Sequence, residues 1–252
     1  RSFSRLPILM GHPLWFRYGG KQQPPTQPAL VLIGGKNFMG DYYNLGGFGR
    51  KVTTDSPEAQ RWFDRGLIWC YAFNRGEAVR CFRQAIAYDD SCALAHWGVA
   101  YASGAYYNRL WADFAQEERE TVIVTCREAI DAALARMDDA TPIEQALIQA
   151  LHHSFDASAL LSEDDFVVWN DTYAAEMRQV CADYPDDLDV CCLCAEALMG
   201  RTPWLLWDLQ TGQPAEGADT LEAIAVLERA MALADDQKIA HPGLPHLYIH
   251  AQ

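Results

Sequence analysis

The chain has 252 residues, 50% of them apolar, and a formal net charge of -14. That apolar share is enough for a sizeable core, so disorder is not expected over most of the length. The acidic field repels phosphate backbones and anionic headgroups, and no uninterrupted apolar run of about 18 residues exists, so neither nucleic acid nor a membrane is an expected partner.

Residues 1–50 stand apart, with six Lys/Arg against the single Asp41, while residues 51–252 carry 14 basic and 33 acidic side chains. The Lys21 to Pro28 stretch cannot continue a helix or a central strand, and Gly11, His12 and Pro13 interrupt the only apolar stretch that resembles a signal-peptide core. Residues 1–55 are therefore expected to form an irregular Gly/Pro-rich arm, within which Ala29 to Ile33 is either a short strand or an apolar strap.

Helical patterning begins at Ser56. Ser56-Pro57-Glu58 places a capping hydroxyl before a proline at the first helical position. Trp62, Phe63, Gly66 and Trp69 supply bulky groups around one small residue before Asn74-Arg75-Gly76 breaks the helix. The next run, Glu77 to Tyr88, carries Ala78, Phe82 and Ala85. Small residues beside one large knob, on two consecutive helices, are the requirement for the close crossing of a tetratricopeptide (TPR) helix pair.

Further helices are expected over Cys92 to Tyr106, Glu117 to Met137, Thr141 to Phe155, Glu163 to Tyr184 and Leu188 to Met199. The third of these opens on a Thr141…Glu144 capping box. Residues 200–217 read as an insertion rich in Trp, Gly and Pro. Thr220 to Asp235 repeats the small-large-small pattern as Ala223, Leu227 and Ala230, and Pro242 opens a final helix. The expected fold class is all-α: a TPR-like right-handed superhelix of antiparallel helix pairs over residues 56–252. A lone last helix would leave an apolar face bare, so truncation at the C-terminus is expected, with further repeats or self-association covering that face.

Eight cysteines occur, almost all in apolar helical stretches, and reduced core thiols are expected, with a cytoplasmic location. Cys191 and Cys194 form a Cys-x-x-Cys, but no second pair follows at zinc-ribbon spacing.

Several strings together resemble one group of TPR-domain proteins from bacteria and fungi: DYYNLGGFGR (Asp41 to Arg50), SPEAQRWFDRGLIWCYAFN (Ser56 to Asn74), AHWGVAYASGAYYN (Ala95 to Asn108), TPIEQALIQAL (Thr141 to Leu151), YPDDLDVCCLCAEALM (Tyr184 to Met199) and HPGLPHLYIH (His241 to His250). The resemblance covers nearly everything after Asp41. It implies partner binding of the TPR type. Members of that group usually continue with further TPR units and a second His-rich string, both missing here.

Two constellations carry chemistry. In His241-Pro-Gly-Leu-Pro-His246-Leu-Tyr-Ile-His250, the last two histidines stand at i and i+4 of the final helix, where two imidazoles can chelate one ion. His241 is a candidate third ligand and His96 a fourth, a set suited to Zn or Cu. The competing reading is hydrogen-bonded histidines in a helix interface. The second constellation is aromatic: Trp97, Tyr101, Tyr107, Trp204 and Trp207 either line a groove or serve as core. No Gly-rich phosphate loop and no Gly-x-Ser-x-Gly elbow is present. Two functions stay open: a scaffold whose concave groove binds a peptide, a protein partner or a small ligand, and a histidine-ligated Zn or Cu metalloenzyme, oxidative or hydrolytic.

Overall fold

The structure is a computed structural model that describes residues 43–155 and 163–252. Asn44–Gln252 forms one compact unit. Residues 44–55, the last part of the expected arm, are pinned to the helices. The Arg50 guanidinium reaches Asp187 and Asp189, and the backbone N–H of Thr53 donates to Glu144 Oε1 at 2.8 Å. The remainder of the expected arm, Ala29 to Ile33 included, lies outside the described residues.

The described residues form nine α-helices: α1 (Pro57–Tyr71), α2 (Arg75–Tyr88), α3 (Ala93–Ser103), α4 (Gln116–Leu134), α5 (Pro142–Ser154), α6 (Glu163–Asp183), α7 (Leu188–Met199), α8 (Thr220–Gln237) and α9 (Gly243–Ala251). Local chemistry accounts for the starts. Ser56 Oγ accepts from Ala59 N at 3.2 Å, and Asp187 Oδ1 accepts from Val190 N at 2.9 Å. Thr141 and Glu144 close the expected capping box. The 200–217 insertion holds a two-stranded hairpin, β1 (Trp207–Asp208) with β2 (Gln213–Pro214), antiparallel. No helix among the described residues is long and apolar enough to cross a membrane.

Each helix packs on the next in the chain, and α1–α3, α3–α5 and α7–α9 also touch. Phe82 shows why the first crossings are so close. A Cβ on Gly66 of α1 or on Gly98 of α3 would come within 2.6 Å of the Phe82 ring, so each glycine leaves room for the knob that α2 inserts. Phe63 meets the same ring at 5.4 Å. Ala78 and Ala85 are buried on either side of it.

Two helices are central. Every residue of α7 is buried, as is α3 from Ala93 to Ala102. The last helix, α9, packs against α7, α8 and α1, and its Ile249 side chain is exposed. The helix expected to run to Tyr106 ends earlier, with Gly104 as its cap, and Tyr106 and Arg109 form an isolated bridge instead.

Candidate functional site

The site starts from two carboxylates in an otherwise apolar helix. Asp189 and Glu196 lie seven residues apart on α7, two turns of one face, and both are buried. A buried carboxylate must find donors, and each of these does.

Asp189 lies among Tyr71, His241 and Arg50. Its Oδ1 accepts from the Tyr71 hydroxyl at 2.5 Å and from His241 Nε2 at 3.2 Å, and its Oδ2 accepts from Arg50 Nη1 at 3.1 Å. Burial alone would push this acid up, yet the His241 hydrogen bond, the Arg50 charge and the Tyr71 hydroxyl together hold it below its usual range. The other His241 nitrogen, Nδ1, accepts from the Gly243 and Leu244 N–H groups at 3.1 and 3.2 Å, capping α9. With both ring nitrogens engaged, His241 anchors α9 to α7.

Glu196 lies across from Arg75, the first residue of α2. The Arg75 Nη2 donates to Glu196 Oε1, and the Tyr101 hydroxyl donates to Glu196 Oε2. The Arg75 guanidinium also lies 4.3 Å from the Tyr101 ring centroid and 4.8 Å from that of Tyr106. Burial, joined by the Glu196 charge and opposed by that of Arg75, pushes the Tyr101 hydroxyl well above its ordinary range, so it stays protonated and donates.

Beside this ion pair lies a cavity of about 60 Å³, walled by Tyr106, Tyr107, Leu110, Asn170 and Tyr173 together with Arg75 and Glu196. That volume accommodates a few water-sized groups. Two of its lining residues carry a buried polar atom with no partner among the described residues: the Tyr173 hydroxyl and Arg75 Nε. Both are donors. Larger clefts exist, one of about 510 Å³ bounded by Thr53, Arg136 and Glu144 and one of about 420 Å³ bounded in part by Arg75, but this smaller cavity is lined by Arg75 and Tyr173 together.

The aromatic candidates divide. Tyr101 and Tyr107 do line the cavity. Trp97 is core, 1% exposed and stacked on Tyr101 at 4.9 Å. Trp204 is exposed and lies over Tyr107 at 5.3 Å, while the Trp207 indole donates to the Ala251 carbonyl at 2.8 Å and so holds the end of α9. Arg75, Glu196, Asn170 and Tyr173 were missed. The signal for Glu196 was present: an acid in the middle of an apolar helix needs a buried cation.

The histidines divide too. His246 and His250 meet as the i, i+4 spacing required, Nε2 to Nε2 at 3.2 Å. The His246 Nδ1–H donates to the Tyr71 carbonyl, so the His246 lone pair lies on Nε2, where it accepts from His250 Nε2–H. Phe73 packs on both rings, and burial followed by the His246 charge lowers the His250 pKa. His96 is engaged elsewhere, with Nε2 at 2.9 Å from the Asp90 carbonyl. Of the four candidate histidines only His246 and His250 are in contact, and no group of three or more potential ligands stands together among the described residues.

No family model, no curated protein and no solved structure matches this chain.

Proposed function

We propose that the chain is a TPR-type stack of helix pairs whose inner cavity binds a small neutral molecule with an apolar body and a hydrogen-bond acceptor. The unpartnered, buried Tyr173 hydroxyl carries this reading, and Arg75 Nε adds a second donor in the same wall. Charge neutrality follows from Glu196, which already balances Arg75 and would repel an anionic ligand. Size excludes an extended peptide from the cavity itself. The sequential helix pairing and the Phe82 knob between Gly66 and Gly98 support the TPR assignment.

Titration with N-methylacetamide and 2-pyrrolidinone, followed by thermal shift and calorimetry, tests the proposal. Saturable binding by the wild type is expected, and at least about tenfold weaker binding by Tyr173→Phe, the size of effect that follows from losing one buried hydrogen bond. The unliganded variant should match wild-type stability to within about 1 kcal/mol, since the hydroxyl removed has no protein partner. Equal binding by both proteins would refute the assignment.

A second reading rests on the His246–His250 distance of 3.2 Å, close to the edge of about 3.3 Å between two imidazole nitrogens on tetrahedral zinc. Under it, the pair takes one Zn(II) or Cu(II), with solvent completing the sphere. Zn(II) should then raise the melting temperature of the wild type and not that of His250→Ala. The effect should fade as pH falls below about 6.5, where protons compete for the imidazoles. A Zn(II) response equal in the variant would remove this reading.

A further inference from the structure

On the side of α7 away from the cavity, Cys191 meets Cys181 from the last turn of α6, with the two Sγ atoms 3.9 Å apart. Arg229 of α8 covers them. Its Nη2 lies 3.5 Å from Cys181 Sγ and 3.8 Å from Cys191 Sγ, and its Nη1 donates to the Pro185 carbonyl at 3.1 Å, which holds the guanidinium in place. Arg229 is itself exposed, while Cys181 and Cys191 beneath it are buried, at 5% and 0% exposure, so Cys181 is the more accessible of the two thiols.

The chemistry of the two thiols differs. Hydrogen bonds from Cys191 and Cys194, followed by the Arg229 charge, lower the Cys181 pKa, whereas Cys191 and Cys194 are raised by their hydrogen bonds to Cys181 and by burial. Cys191 Sγ also lies 3.4 Å from the Pro185 carbonyl, an alternative acceptor for its single S–H proton, which favours its protonated form. Elsewhere burial acts alone or dominates, pushing Cys70 and Cys126 up to about 12 and Cys92 up to about 11. A thiolate beside a cation, with a second thiol in contact, is the arrangement that reactive cysteines need.

We propose that Cys181 is a peroxide-reactive thiolate and Cys191 its resolving thiol, so that hydroperoxide closes a disulfide between α6 and α7. In the first step the Cys181 sulfur attacks one peroxide oxygen; the S–O bond forms, the O–O bond breaks, and hydroxide leaves and takes up a proton. In the second, the Cys191 sulfur attacks the sulfenic sulfur; the S–S bond forms, the S–O bond breaks, and water departs with the Cys191 proton. Two thiols and one peroxide give one disulfide and two waters, the peroxide accepting two electrons. Closing the gap from 3.9 Å to the length of about 2.05 Å asks for little movement, because Cys181 lies at a helix end next to the Tyr184-Pro185-Asp186 turn.

The test begins on the native wild type. Limiting iodoacetamide should label Cys181 about tenfold faster than any other cysteine, and Arg229→Gln should remove most of that advantage. After hydrogen peroxide, digestion with trypsin and then with a protease cutting before aspartate separates Cys181 from Cys191. Mass spectrometry should show those two peptides joined, and Cys181→Ala should abolish the link. Uniform labelling of the buried thiols, or recovery of all free thiols after peroxide, would overturn the proposal, and neither readout depends on a variant folding.

Discussion

Glu196→Ala is expected to destabilise the protein by about 3–5 kcal/mol, measured by urea unfolding at pH 7, because it leaves the Arg75 charge buried without its counterion. The Arg75 and Glu196 side chains are 6% and 11% exposed, so water cannot take over. Tyr101 loses its acceptor in the same step. The pair itself contributes much less than its rupture costs, since desolvation opposes the attraction. Arg75→Met combined with Glu196→Leu is accordingly expected to recover most of the lost stability. A loss below about 1 kcal/mol for the single variant would mean that the carboxylate is solvated, against the burial described here.

Phe82→Ala is expected to cost about 3–5 kcal/mol by the same assay, as a fully buried aromatic knob is removed from between three helices. Gly98→Val should destabilise by about 1–3 kcal/mol for the opposite reason, overfilling a space in which even a Cβ would lie 2.6 Å from the ring. The two sites share one volume. Combining Gly98→Val with Phe82→Leu should therefore cost less than the sum of the single changes, whereas independent effects would show that Phe82 and Gly98 do not meet.

What the sequence revealed was mostly local. The 3.6-residue periodicity, Ser56-Pro57, the Thr141 box and the run Leu188 to Met199 located helices, and the i, i+4 spacing brought His246 and His250 together, because a single helix determines that distance. Contacts across the fold were not legible in the same way. Glu196 pairs with a residue 121 positions away and His241 bonds one 52 positions away. Periodicity identifies which face is buried without saying what lies opposite. For the same reason Trp97 and Tyr101, one turn apart on α3, read alike in the sequence, although one is core and the other lines the cavity. His96 and His241 carried the right atom type for a metal, yet the Asp90 carbonyl engages Nε2 of His96, and Asp189 and backbone N–H groups engage both nitrogens of His241.

The cavity beside Arg75 and Glu196 is the centre of this account, and diffraction from wild-type crystals soaked in N-methylacetamide addresses it most directly. The prediction is density for the amide between Tyr106 and Tyr173, its carbonyl oxygen about 2.7 Å from the Tyr173 hydroxyl. Density for the probe only at the surface, with the Tyr173 hydroxyl bonded to a protein group, would contradict it.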